Sequence, residues 1–92
     1  MEQVINVKTD VIEKAILKWG MTVQSVVCME ECGELIQEIS KQIRGVGGKT
    51  ALTEEMADVA ICLKHLQTMY NIPEEDLQLV VERKLARLEG RL

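Results

Sequence analysis

Five carboxylates in this sequence have types and spacing that could do chemistry. Glu30, Glu31 and Glu34 stand close together, and Glu55 and Asp58 follow after twenty intervening residues. Glu31 with Glu34, and Glu55 with Asp58, are each three apart, so on a helix each pair presents two oxygens toward one point. Wound at helical pitch, the third apolar segment carries a stripe of Leu52, Val59, Cys62, Leu66 and Met69, and Glu55 falls on that line. Carboxylates facing one another across two helices repel, and burial makes each unpaired charge costly. Such a cluster needs protons, basic side chains or a divalent cation. The donors are all oxygen, which selects a hard ion, Mg²⁺ with Mn²⁺ as a substitute, over Zn²⁺. The single histidine, His65, lies seven residues past Asp58 and is read as facing elsewhere. With no Glu-x-x-His motif, a di-iron bundle is disfavoured.

Four helices must position these acids. The first runs from Thr9 or Asp10, one of which is expected to cap it, to Trp19, with Val11, Ile12, Ala15, Ile16 and Trp19 as its apolar stripe and Gly20 as its stop. The second spans about 22–44 and ends at Gly45-Val46-Gly47-Gly48. On it Val23 and Val27 begin a stripe that continues into Glu30, Glu31 and Glu34, while Cys28, Cys32, Leu35, Ile39 and Ile43 form another. Thr50 or Thr53 is expected to cap the third, which reaches about Tyr70. Pro73 opens the fourth at a favoured first-turn position. Glu74, Glu75 and Asp76 then sit at its positive end, and Arg83, Lys84, Arg87 and Arg91 toward its negative end. Lys84 shares a side with Leu77, Val80, Val81 and Leu88. The expected fold is all-α, one helical bundle of about four helices over residues 1–92. The two long middle helices leave apolar stripes that self-association, as dimer or tetramer, would complete.

The residues also resemble a family. Glu30-Glu31-Cys32-Gly33-Glu34, followed by Glu55-Met56-Ala57-Asp58, is similar to the Glu-Glu-x-x-Glu … Glu-x-x-Asp signature of the all-α nucleoside triphosphate pyrophosphohydrolases, the MazG-like group. The resemblance covers residues 19–91, taking in Trp19-Gly20 with Gln24 before the motif and Lys84-Leu85-x-Arg87-Leu88 after it. It implies Mg²⁺-dependent conversion of a (deoxy)nucleoside triphosphate to monophosphate and pyrophosphate, as in housecleaning of nucleotide pools. It implies Glu31, Glu34, Glu55 and Asp58 as metal ligands, Glu30 as a helper, and Lys84, Arg87 and Trp19 as substrate contacts. Glu30 or Glu34, whichever is not fully used by metal, would serve as general base. The related phosphoribosyl-ATP pyrophosphohydrolases share such acids and form the nearest alternative. A non-catalytic helical interaction module is the alternative from another class.

Composition narrows the field further. Fifteen acids against eleven bases give a net charge of −4, which speaks against a partner that is a nucleic-acid polymer. No run of eighteen apolar residues exists, so no membrane partner is expected. The start, Met1-Glu2-Gln3-Val4-Ile5-Asn6, lacks the pattern of a signal peptide. Three cysteines without Cys-x-x-Cys spacing are expected to be reduced thiols in a cytoplasmic protein, packed as small hydrophobes. With no Phe and one each of Trp, Tyr and Pro, the chain cannot easily make the many short strands and turns of a β-sandwich or barrel.

Overall fold

A computed structural model describes residues 5–92. Residues 1–4, which opened the stretch read above as lacking a signal peptide, lie outside the described residues. The described chain is all-α: α1 (Thr9–Trp19), α2 (Met21–Ile43), α3 (Lys49–Met69) and α4 (Glu74–Gly90). Helices α2 and α3 form the main antiparallel pair, and α1 packs on both. No helix is long and apolar enough to cross a membrane among the described residues.

The boundaries follow local chemistry, with three departures. Gly20 ends α1 at φ 88°, ψ 159°, a region that a Cβ disfavours, and its N–H donates to the Ile16 carbonyl at 2.8 Å. Beyond α2, Gly45 takes φ 75° and the Val46 and Gly47 N–H groups return to the Lys41 carbonyl at 3.0 and 3.2 Å, which satisfies an orphan acceptor of the last turn. Neither Thr9 nor Asp10 caps α1, whose N-cap is Lys8 without a side-chain bond. Neither threonine caps α3; Gly48 holds that place, and the Thr53 hydroxyl donates back to the Lys49 carbonyl at 2.7 Å. Pro73 stands at the N-cap of α4, one residue before the expected first-turn position.

The larger departure is the phase of α2. Its inward line is Gln24, Cys28, Glu31, Leu35, Glu38 and Gln42, spaced alternately four and three apart, and all are buried or half-buried. The facing line of α3 has the same rhythm: Ala51, Glu55, Asp58, Cys62, His65 and Met69. The two expected stripes of α2 give only Cys28, Glu31 and Leu35 to this line, and their other members flank it. Val23, Val27, Cys32, Ile39 and Ile43 are exposed. The seam between the long helices is therefore polar along much of its length. Full apolar burial falls to few residues, Ile12, Cys28, Cys62 and Met69, and on α1 Val11 and Trp19 stay exposed.

Candidate metal centre

The polar seam brings the two acidic pairs together. One carboxylate oxygen from each of Glu31, Glu34 and Glu55 lies within 4.8 Å of the others. Asp58 stands beside them, lining the same cavity as Glu31, and its charge acts on both Glu31 and Glu55. These are the four residues expected as ligands, and helix pairing gathers them from two segments of chain. Glu31, Glu55 and Asp58 are half-buried and Glu34 is exposed at the rim. Two oxygens in this group, Glu31 Oε2 and Glu55 Oε2, are shut off from solvent without a hydrogen-bond partner. Orphaned buried carboxylate oxygens are costly, and a proton or a hard divalent cation is a partner that would satisfy them.

The electrostatics agree with the geometry. Loss of solvent around Glu31, the close Asp58 carboxyl and the charges of Asp58, Glu34 and Glu55 push its carboxyl up to about 7. Glu55 is also raised, first by loss of solvent and then by the charges of Glu34 and Asp58. No basic side chain forms an ion pair with the four carboxylates among the described residues. Among the described residues the ion pairs are Lys41–Glu38 at 3.1 Å and Lys64–Glu74 at 2.8 Å.

The other expected site residues are not gathered here. Glu30 is exposed, adjacent in sequence to Glu31 but turned further out. Trp19 is exposed, with Lys18 Nζ 5.0 Å above its ring, and it does not line the cavity beside the acids. Helix α4 has no buried residue. Its first turn is tied to α3 by Glu74, which accepts from Lys64 and from Gln67 Nε2 at 3.1 Å. Farther along, Lys84 and Arg87 border a separate opening with Val80 and Arg83. Within one chain they stand apart from the carboxylates.

His65 requires a correction. Seven residues are two helical turns less about 20°, so His65 shares the face of Asp58 and does not point elsewhere. It is 8% exposed and lines a cavity of about 110 Å³ with Gln24, Val27, Cys28, Glu31, Asp58, Ile61 and Cys62. Its Nδ1 lies 3.2 Å from the Ile61 carbonyl, and Nε2 is buried without a partner. The signal was present in the sequence as the Asp58, Cys62, His65 spacing. Cys28 and Cys62 are buried thiols in the same seam, and Cys28 Sγ donates to the Cys62 carbonyl at 3.6 Å. Cys32 is exposed, which departs from the core role expected of all three. No family model, curated protein or solved structure matches this chain.

Proposed function

We propose that this chain is a Mg²⁺-dependent nucleotide pyrophosphohydrolase, with Mn²⁺ as an acceptable substitute, acting on a (deoxy)nucleoside triphosphate in the cytoplasm. One observation carries the reading: two carboxylate oxygens, from Glu31 and Glu55, are buried and unpartnered inside a cluster of acids on facing helices. A solvated acidic face would leave its oxygens in water. The resemblance of the two acidic motifs to the all-α pyrophosphohydrolases extends the reading from a metal site to the reaction.

Glu31, Glu34, Glu55 and Asp58 would hold the ion. A divalent ion there supplies charge neutralisation for a triphosphate and makes a nearby water more acidic. In the reaction, water oxygen bonds to the α-phosphorus, the α–β anhydride bond breaks, and pyrophosphate leaves with the bond electrons. The water proton needs a carboxylate at the open edge of the site. Glu34, exposed at the rim of the cluster, and Glu30, exposed beside it, are the two candidates. Lys84 and Arg87 reach a triphosphate only if self-association brings α4 near a cluster, which fits a homo-oligomer. The outward face of α2 supports such an assembly, with Met29 at 73%, Ile36 at 67% and Ile43 at 83% exposure along one line.

The test is a panel of nucleoside triphosphates assayed for pyrophosphate and orthophosphate, with Mg²⁺ and with EDTA. Pyrophosphate release that requires Mg²⁺ and is lost in Glu55→Gln is the expected result. Because that substitution removes one charge from a repelling group, the variant should also melt above wild type in EDTA and gain less from Mg²⁺. Orthophosphate as the primary product refutes the reaction. Retained activity with lower stability in EDTA refutes the metal site.

A further inference from the structure

Helices α2 and α3 make a layer two helices wide, and its two faces differ. Helix α1 covers one of them. Its Val11 and Ile12 border an opening with Ile61, and its Ile16 and Leu17 border another with Thr68 and Met69. No helix packs across the opposite face; α4 reaches only its border, where Leu77 lines an opening with Leu63. On α2 the open face carries Met29, Cys32, Ile36, Ile39 and Ile43, all exposed. On α3 it carries Leu52, Met56, Val59 and Leu63, half-buried or exposed. These residues fall in one sector of each helix, about 100° wide. Although 28% of the chain is charged, neither sector holds an Asp, Glu, Lys or Arg. The hydroxyls of Ser25 and Tyr70, 2.8 Å apart, join the two sectors on one side of the seam.

We infer that this face is the contact between two copies of the chain, related by a two-fold axis, with α2 and α3 of each building a four-helix bundle. Charge selects a second copy. A two-fold contact lays a patch on itself, so charges there would meet their own kind, and this patch has none. Hydrogen bonding agrees, because Ser25 and Tyr70 already bond each other and the face can lose its water without orphaning either hydroxyl. Size agrees as well. From Ser25 to Ile43 the face is about 27 Å long, and two helix diameters make it about 20 Å wide. A second two-helix layer matches that outline, whereas one partner helix would fill only the central groove. With side-chain relief the face offers on the order of 600–800 Å², against about 800 Å² from each partner in a standard interface. Glu34 leaves α2 about 160° away from Ile36, so the pairing keeps the rim of the acidic cluster open. The inference is independent of the nucleotide reading above.

The test is the mass of the full chain by light scattering, from about 1 to about 100 µM in EDTA. Wild type should give twice the 10.4 kDa chain mass, or a multiple of that pair. Ile36→Glu sets like charges in a desolvated contact and should halve the mass, raising the dissociation constant about a hundredfold or more. Ile36 is 67% exposed in the single chain, so the substituted monomer keeps its fold, which circular dichroism verifies. Leu17→Glu is the control: Leu17 is an exposed α1 residue on the other face, and this variant should keep the wild-type mass. Cys32 supplies a second readout. At about 100 µM iodoacetamide should label it about tenfold faster in Ile36→Glu than in paired wild type. A folded wild-type monomer at about 100 µM, wild-type mass in Ile36→Glu, an equal loss in Leu17→Glu, or equal Cys32 rates overturns the inference. The two proposals fail separately: a monomer that releases pyrophosphate removes the pairing and leaves the enzyme, and a dimer without hydrolysis does the reverse.

Discussion

Protonation of Glu31 should govern metal binding near neutral pH, and its size follows from the site. With its carboxyl at about 7, Glu31 is about nine-tenths ionised at pH 8, half at pH 7 and about one-tenth at pH 6. A cation needs the ionised form, so Glu31 alone lowers apparent Mg²⁺ affinity about tenfold between pH 8 and pH 6. At pH 7 binding should expel about half a proton from this residue. Glu55, raised as well, adds in the same direction. The groups facing Glu31 are Glu34 from its own helix and Asp58 and Glu55 from α3, with Cys28, Cys62, His65 and Gln24 farther along the cavity. Without metal the sign for stability is opposite. A carboxyl raised on folding contributes fully below its ordinary value of 4.5, and that contribution is lost as pH rises through about 7. The melting temperature in EDTA should therefore fall across that window, and saturating Mg²⁺ should lessen the fall. Glu74 is lowered by its hydrogen bond to Lys64, so its window lies below 4.5 and does not interfere. Calorimetric Mg²⁺ titrations in buffers of different ionisation enthalpy count the protons, and melts from pH 5 to pH 8 read the stability. Glu31→Gln should flatten both profiles. Proton release near zero at pH 7, or an EDTA melting profile that is level and identical in wild type and Glu31→Gln, would refute the argument.

Two glycines should respond oppositely to alanine. A Cβ on Gly47 would lie 2.6 Å from Gln42 Nε2 and 3.1 Å from both Gln42 N and Lys41 Cβ, so Gly47→Ala should lower the melting temperature by several degrees. Gly33 lies inside α2 with no atom within 4 Å of its virtual Cβ, so Gly33→Ala should add about 0.5–1 kcal/mol; a lower melting temperature would show that another surface packs there. In native protein at pH 7.5, diluted until copies separate, iodoacetamide should label Cys32 fast and spare the buried Cys28 and Cys62, and burial also pushes the Cys62 thiol up to about 12; three equivalent rates in peptide mapping would contradict the packing. Lys84→Met should leave the melting temperature unchanged and raise KM for the triphosphate, and unaltered kinetics would assign Lys84 to solvent.

Much of the site could be read without coordinates. The spacings of Glu31 with Glu34 and of Glu55 with Asp58 specify shared helix faces, and Glu55 on an inward line marks a carboxylate held where an aliphatic is usual. Those arguments are local, because 100° per residue converts sequence number directly into direction. The same arithmetic places His65 beside Asp58, a polar pair on a line that hydrophobicity does not mark. Lys84 and Arg87 differ in kind. Their distance from the acids depends on how α4 leaves the Asn71-Ile72-Pro73 turn, which no periodicity encodes.

The sequence by itself determined the helices, their ends at Gly20, Gly45 and Asn71, and the pairing of acids within each helix, because these depend on propensity, turn chemistry and pitch. Tertiary structure alone decided which face of α2 turns inward. Apolar patterning offered two stripes, Val23–Val27 and Cys28–Ile43, and α2 instead meets α3 along a line that keeps only Cys28 and Leu35 of them and otherwise runs through Gln24, Glu31, Glu38 and Gln42. Only that pairing leaves Glu31 Oε2, Glu55 Oε2 and His65 Nε2 buried without partners, since each loses its water to residues more than twenty positions away in the chain. Burial is a property of two surfaces in contact, and a single helix does not carry it.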